Sequence, residues 1–327
     1  MNAVIVETRA PVLNSLKHFY TTAFMGNNAS NPEIRKLGLG GSDAGIVLGL
    51  NPWRTRLELW QEKTGRADAP DLADVESVQW GINLENPIAE EYTRRTGRKV
   101  RRVNRTIRHG SHNFMQGHID RKISCISGGL EIKTVGIRSA HLWGEEGSEA
   151  IPAHYHAQVL HYLAVTGWDF FDVAALIGGQ NLRIFTVERD DAEIEYLVLR
   201  ECEFWENNVL DDNPPMPMVP KEATMLYPVS DPNKILNANS KLVELIQQAQ
   251  LGEAIAARAK RSLELRKAEI QGLMGDAELV RNPEGKRLCT WKSQTRNDLD
   301  KAALKKARPE LWEEFPKQST VRTFRIV

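Results

Sequence analysis

The chain has 327 residues and no net charge, with 43 Lys and Arg against 43 Asp and Glu, and 41% of its residues are hydrophobic. This composition excludes an intrinsically disordered chain, and three widely spaced cysteines exclude a disulfide-rich secreted module. We find no apolar run of about eighteen residues that would span a membrane and no secretion signal. We therefore expect a soluble protein of the reducing cytoplasm, with one large core or two domains.

Positive charge is concentrated in two segments of the chain. Residues 94–109 contain eight Lys and Arg and no acid, and residues 286–327 contain eleven Lys and Arg against five Asp and Glu. A neutral chain with segregated charge can still carry a basic groove for nucleic acid. Taken alone, such a run is more often a solvated surface.

The first part of the chain predicts an arm followed by a core of mixed secondary structure. Residues 1–30 read as an N-terminal arm, and a Gly-rich turn from Arg35 to Asp43 opens the core, with Ser42 or Asp43 as a helix cap. The spacing of apolar residues predicts helices over 43–48, 57–64, 87–96, 152–166 and 191–209, and strands over 100–107, 114–119, 129–135, 171–177 and 182–187.

The second part of the chain has a different amino-acid composition. Prolines in residues 213–220 cannot continue a helix, so we predict a core over 31–212 and a Pro-rich linker over 213–232. Residues 233–327 are predicted to form a C-terminal arm, with one long helix to Met274 and a small strand–helix–strand tail over 286–292, 300–307 and 321–327.

The residues with the clearest chemical meaning are Asp120, Glu131 and Lys133. Residues two apart on a strand share a face, so Glu131 and Lys133 project together, and Asp120 can face them across a hairpin. Two carboxylates suit Mg²⁺ or Mn²⁺, and a neighbouring lysine can orient or deprotonate a water. The set predicts hydrolysis of a phosphodiester by metal-assisted attack.

Other interpretations of the same residues remain open. A Glu-x-Lys strand is often a surface strand with an ion pair, so the motif alone is weak. Leu130 and Ile132 strengthen it because they give the strand an apolar face, and Glu85 on an upstream helix supplies a third carboxylate.

In this arrangement the chain resembles the PD-(D/E)xK nuclease superfamily, and within it the YqaJ-type, lambda-exonuclease-like viral recombinase nucleases. The resemblance covers roughly residues 30 to 210, and one departure is Ile119, where the superfamily often has proline. The matching stretches, in order, are Arg35-x-x-Gly38-Leu-Gly-Gly-Ser42-Asp43, Leu50-Asn-Pro-Trp53, Trp80-Gly-x-x-x-Glu85, Gly117-x-x-Asp120, Glu131-Ile-Lys133 and Tyr155-x-x-Gln158.

The resemblance implies a restriction-endonuclease-like fold of the α/β (α+β) class, with a mixed central sheet flanked by helices. It implies that Asp120, Glu131 and the main-chain carbonyl of Ile132 bind Mg²⁺, for which Mn²⁺ could substitute, and that Glu85 adds a further or water-mediated contact. Lys133 would position the attacking water, with Gln158 beside the site. The implied 5′-phosphate contacts are Arg35, Ser42 and Tyr155, although Ser42 could simply cap a helix and Tyr155 could belong to the core.

The activity implied by the resemblance is digestion of one strand of linear double-stranded DNA from its 5′ end. This activity would release 5′-mononucleotides and leave a 3′ overhang for a single-strand annealing protein in phage-type recombination. Relatives of this type form rings, so we expect a homo-oligomer, with a trimer favoured, in a bacterial host cell. The alternatives are a restriction- or junction-type endonuclease and a catalytically silent module that binds DNA ends.

Overall fold

The computed structural model describes residues 35–72, 74–295, 299–315 and 324. The predicted N-terminal arm lies outside the described residues, as does the last predicted strand apart from Phe324. The chain divides into two compact units, Met1–Glu222 and Ala223–Val327.

The first unit contains a five-stranded mixed sheet and a smaller three-stranded sheet. The strands are β1 (Leu39–Gly40), β2 (Val100–Arg102), β3 (Ile107–Arg108), β4 (Met115–Gly117), β5 (Arg121–Ile123), β6 (Gly128–Val135), β7 (Phe170–Ile177) and β8 (Asn181–Glu188). The large sheet has the order β2-β5-β6-β7-β8, in which only β6 and β7 run parallel, and the small sheet has the order β1-β4-β3. This mixed arrangement confirms the predicted fold class.

Helices flank the large sheet on both faces. The helices that the structure describes in this unit are α1 (Gly41–Val47), α2 (Arg56–Lys63), α3 (Glu76–Thr96), α4 (Ala153–Thr166) and α5 (Asp191–Glu203), with a 3₁₀ helix at Ile137–Leu142. Helix α6 (Pro220–Leu226) includes Glu222, the last residue of the unit. Val173 and Ala175 of β7 pack in a cluster with α4, whereas Ala174 packs in a second cluster with α3. Because neighbouring strand residues point to opposite faces, α4 and α3 cover the two faces of the sheet.

Helix α3 differs from its prediction, which began at Pro87. In the structure the helix begins at Glu76 and includes Pro87 in its interior. Proline favours the first turn of a helix, which is why the sequence suggested a start there. Ile88 and Tyr92 follow Pro87 and are buried against the sheet, and this packing fixes the helix despite the missing backbone donor.

Three further segments differ from their predictions. The strand predicted over 100–107 is two short strands, β2 and β3, which lie in different sheets. The helix predicted over 191–209 ends its α-helical part at Glu203 and continues as a π-helical turn, Phe204–Leu210. Helix α6 forms within the segment predicted as a linker, although the domain boundaries themselves stay a prediction.

The second unit consists of a long helix followed by a small hairpin and two short helices. Helix α7 (Ser240–Met274) begins after Asn239, whose side chain accepts a hydrogen bond of 2.9 Å from the Leu242 amide. The remaining elements are β9 (Leu279–Arg281), β10 (Arg287–Thr290), α8 (Lys301–Ala307) and α9 (Glu310–Glu314). Among the helices that the structure describes, none has the length and apolar character needed to cross a membrane.

Candidate active site

Strand β6 carries the centre of the candidate site on its α4 face. Leu130 and Ile132 point into the apolar cluster on the α3 face, so Glu131 and Lys133 point the other way. The Glu131 side chain is buried, and its Oε1 lies 2.7 Å from Nζ of Lys133. The alternation seen in the sequence therefore brings these two side chains together as expected.

Asp120 lies directly before β5 and reaches the same strand. Its Oδ2 accepts a hydrogen bond of 2.9 Å from the backbone amide of Ile132. Burial raises the pKa of Asp120 well above its ordinary value, and the nearby charge of Glu131 raises it further. The structure thus places two carboxylates close enough to repel each other.

Gln158 on α4 links the charged groups. Its Oε1 accepts a hydrogen bond of 3.1 Å from Lys133, and its Nε2 donates to Oε1 of Glu131 at 2.8 Å and to the Tyr162 hydroxyl at 2.9 Å. Tyr162 was not predicted as a site residue. The sequence could have indicated Tyr162 through its position one turn after Gln158, which puts both side chains on one helix face.

One oxygen of the site has no donor. Oε2 of Glu131 is buried and has no hydrogen-bond partner among the residues that the structure describes. An unsatisfied buried carboxylate oxygen is costly, and a hard divalent cation would satisfy it while offsetting the repulsion from Asp120. The donor set of Asp120 and Glu131 therefore fits the metal implied by the sequence.

The predicted cluster of three carboxylates does not form. Glu85 forms an ion pair with Arg121, the first residue of β5. Glu85 still lies near Asp120, because its charge contributes to the raised pKa of that carboxyl group, after burial and Glu131. Within the described part of the chain, no group of three His, Cys, Asp or Glu side chains is arranged around a common metal position.

Lys133 is held in its charged form. Burial opposes the ammonium, but Glu131 and Asp120 outweigh this effect and raise the pKa of Lys133 above its ordinary value. The ammonium also lies 4.7 Å from the centre of the Tyr155 ring, a favourable cation–π distance. Lys133 is therefore a hydrogen-bond donor in this structure rather than a base.

The three residues implied to contact a 5′ phosphate lie around this centre in different settings. Ser42 is exposed in the first turn of α1, and Tyr155 is half-buried beside Lys133. Arg35 is exposed, and its charge reaches the site: burial lowers the pKa of His118 to about 4, and Arg35 adds to that effect.

The Gly-rich turn serves close packing. An added Cβ at Gly38 would lie 2.1 Å from the Phe114 carbonyl oxygen, and one at Gly41 would lie 2.4 Å from the Tyr162 ring. Asp43 accepts a hydrogen bond of 3.0 Å from the Gly40 amide and pairs with Lys63 at 2.9 Å. Asp43, rather than Ser42, therefore caps α1, from the third position of the helix.

His161 lies on the same helix as Gln158 and has a structural role. Its imidazole is fully buried, with Nδ1 2.9 Å from Oε1 of Glu201 on α5 and Nε2 3.1 Å from the Gln116 carbonyl oxygen. Burial opposes the imidazolium, but Glu201 and the Gln116 carbonyl raise the pKa of His161 above its ordinary value. This pair joins α4 to α5 and does not reach the carboxylates.

Comparison with known proteins places the first part of the chain in a described family. Residues 32–169 match the YqaJ-like viral recombinase domain. The uncharacterized protein YqaJ of Bacillus subtilis (strain 168) is 34% identical over 299 residues, which cover 89% of this chain and 92% of the relative.

Two solved structures share parts of the fold at low sequence identity. An alkaline exonuclease (LHK-Exo) from Laribacter hongkongensis is 17% identical with a TM-score of 0.44, over 60% of this chain and 98% of that one. A phage-related exonuclease from Haemophilus somnus 129PT is 12% identical with a TM-score of 0.39, over 54% of this chain and 96% of that one.

Proposed function

This chain belongs to the YqaJ-like viral recombinase family, and we propose that it is a Mg²⁺-dependent exonuclease that degrades linear double-stranded DNA from the 5′ end. The products would be 5′-mononucleotides and a 3′ single-stranded overhang. The observation that carries the proposal is the pair of Asp120 and Glu131, in which Glu131 is buried and the pKa of Asp120 is raised, with Nζ of Lys133 2.7 Å from Glu131.

The contacts of these residues support the roles that the resemblance implies. Asp120, Glu131 and the main-chain carbonyl of Ile132 would hold the ion, with Mn²⁺ as a possible substitute. The bound ion supplies a polarised water and neutralises charge on the phosphate. Lys133 donates a hydrogen bond that positions the attacking water. Gln158 bonds both Lys133 and Glu131, so it fixes their relative position.

Glu85 and the 5′-phosphate residues have supporting roles in this proposal. Glu85 lies beyond Arg121 and would act on the ion through a water. Arg35, Ser42 and Tyr155 would meet the 5′ phosphate, since Ser42 is exposed at the start of α1 and Tyr155 contacts Lys133. These residues would align the first phosphodiester with the carboxylates.

The biological setting is part of the same proposal. A 3′ overhang is the substrate of a single-strand annealing protein, so such a protein is the proposed partner in phage-type recombination within a bacterial cytoplasm. A homo-oligomeric ring, with three copies favoured, would enclose the duplex. Enclosure would replace tight phosphate contacts, which fits a chain with no net charge.

A digestion assay tests the activity. Linear blunt duplex with one labelled end and a covalently closed circle are incubated with Mg²⁺. We expect stepwise release of mononucleotides from the linear duplex alone. Lys133→Ala is expected to lower the rate at least a hundredfold, because it removes the donor beside Glu131. The matched control is Lys241→Ala, whose side chain is 70% exposed on α7.

The alternatives give different products in this assay. Internal cuts, or opening of the circle, would identify an endonuclease. Binding of the duplex without any product would identify a silent end-binding module. Equal activity of Lys133→Ala and the control would contradict the proposed site.

A further inference from the structure

A basic cavity is lined by residues of β2 and of β5, the strand that directly follows Asp120. It has a volume of about 480 Å³, in the range that holds a whole small ligand. Its lining includes Arg101, Arg102, Arg105, Lys122, Thr166 and Trp168. Among the described residues that line it, four are cations and none is a carboxylate.

Three arginines of the basic run predicted from the sequence line the cavity. In the first half of that run, Arg94 and Arg95 pair with Glu91, and Arg98 pairs with Asp172. Arg101 and Arg105, by contrast, are exposed and form no ion pair with any residue that the structure describes. The arginines of this run before residue 100 are therefore held in ion pairs, whereas Arg101 and Arg105 are free to bind an anion.

The large sheet determines where these cations lie. Arg101 on β2 is directly opposite Lys122 on β5, so the two side chains share a face. Lys122 lies 5.0 Å from the centre of the Trp168 ring, and Trp168 stacks on Phe171, which belongs to the cluster on the α4 face. The cavity is thus on the same face of the sheet as Glu131 and Lys133.

The distance to the candidate site suits a neighbouring nucleotide. Lys122 is two residues after Asp120, and an extended chain rises by about 3.3 Å per residue, so their Cα atoms are about 7 Å apart. Lys122 is thus the cavity cation closest to Asp120 along the chain. The volume exceeds what a lone phosphate needs and leaves room for a sugar and a base beside Trp168.

We infer that this cavity binds one nucleotide of the DNA strand next to the cleaved bond, with its phosphate on Arg101, Arg105 and Lys122. The inference rests on the proposed function for the identity of the strand. Its binding chemistry is independent of cleavage, because the cations lie outside the carboxylate centre. A free nucleotide is a second source of the same chemistry, and the experiment separates the two.

Binding is measured without cleavage. Fluorescence anisotropy of a labelled DNA duplex with a 3′ overhang is recorded in EDTA at several salt concentrations. We expect Arg105→Gln to weaken binding several-fold and to reduce the slope of log K against log salt by about 0.9 for a duplex phosphate, or about 0.7 for a single strand. Arg101→Gln is expected to act in the same way.

Arg94→Gln is the matched control, because it removes the same charge from the same basic run but from a residue paired with Glu91 outside the cavity. Its binding and slope are expected to match the wild type. An equal loss in Arg94→Gln and Arg105→Gln would mean diffuse attraction and would overturn the inference. A 5′-mononucleotide that binds in an Arg105-dependent manner without displacing the DNA would overturn it in favour of a free nucleotide.

The two proposals fail separately. If Arg105→Gln binds DNA as the wild type does and the protein digests DNA with Mg²⁺, the proposed nucleotide site is wrong and the proposed nuclease activity stands. If binding depends on Arg105 but no DNA is digested, the cavity binds DNA and the proposed nuclease activity is wrong. Arg101 and Arg105 are exposed, and unchanged melting temperatures of their variants would show that the fold is retained.

Discussion

Glu131 and Asp172 are buried acids on neighbouring strands whose oxygens are used differently. Asp172 is fully buried and accepts hydrogen bonds from Tyr92, Arg98 and Thr186. Glu131 receives Lys133 and Gln158 on one oxygen and leaves the other without a donor. A carboxylate with all its partners holds the fold together, whereas one with a free buried oxygen is suited to a cation.

The metal-site proposal predicts a change in thermal stability. Millimolar Mg²⁺ is expected to raise the melting temperature, because the ion binds the folded state and relieves the repulsion between Asp120 and Glu131. Asp120→Asn is expected to lose this gain, as measured by a thermal scan with and without the ion. Asp191→Asn, at a position whose side chain is 73% exposed, should keep the full gain. Equal gains in the two variants would contradict the site.

At the scale of elements, a glycine controls how closely α1 approaches α4. A Cβ at Gly41 would lie 2.4 Å from the ring of Tyr162, whose hydroxyl is bonded to Gln158. Gly41→Ala is therefore expected to lower the free energy of unfolding by about 1–3 kcal/mol. It should also reduce nuclease activity, because displacement of Tyr162 moves Gln158.

Urea unfolding measures this effect, and Gly136→Ala is the matched control. Gly136 has a φ of −64°, and no atom lies within 4 Å of its added Cβ. Its free energy of unfolding should change by less than about 0.5 kcal/mol. If Gly41→Ala behaves like this control, the contact between α1 and α4 is not tight.

The buried pair of His161 and Glu201 predicts a pH-dependent link between α4 and α5. The raised pKa of His161 means that its stabilising effect is complete below the ordinary value of about 6.5 and is lost as the pH rises through the raised value. Glu201→Gln leaves a buried imidazolium without its partner, so it is expected to cost about 3–5 kcal/mol near pH 6. The cost should be smaller near pH 9, as the pH rises through the raised pKa of His161.

Urea unfolding at the two pH values measures the effect. The control is Glu203→Gln on the same helix, a residue whose side chain is 42% exposed in its pair with Arg200. An exposed pair contributes about 0–1 kcal/mol, so the control should change little at either pH. A cost for Glu201→Gln that stays constant with pH would show that His161 is not charged in the folded protein.

Local sequence patterns predicted the elements of the core and the strand that carries Glu131 and Lys133. Alternation places these side chains on one face, and this rule needs no tertiary information. The ion pair of Glu85 with Arg121 could not be predicted without tertiary information, because the two side chains come together only when β5 and α3 pack. The same holds for Pro87, whose helix is fixed by buried residues that follow it. The basic cavity was visible in sequence only as a run of charge, since ion pairs with Glu91 and Asp172 decide which arginines are free.

At the scale of the whole molecule, charge distribution bears on how the proposed exonuclease stays on DNA. Contacts with about 6–10 phosphates would lose about 10³–10⁵ in affinity between about 50 mM and about 200 mM salt. A chain with no net charge is expected to make fewer such contacts, so the proposed ring would retain the DNA by enclosure instead. Enclosure does not depend on salt once the ring has threaded the duplex.

This reasoning predicts processive digestion that resists salt. Enzyme is first loaded on a labelled linear duplex, and digestion is then started with Mg²⁺ together with excess unlabelled duplex as a trap. The mean length digested per binding event is expected to stay within about twofold between about 50 mM and about 200 mM salt, while the loading rate falls steeply. A length that falls in parallel with loading would mean that phosphate contacts alone hold the DNA. A mass in solution of a single copy would exclude the ring by a second route, since one chain cannot close around the duplex as a symmetric oligomer does.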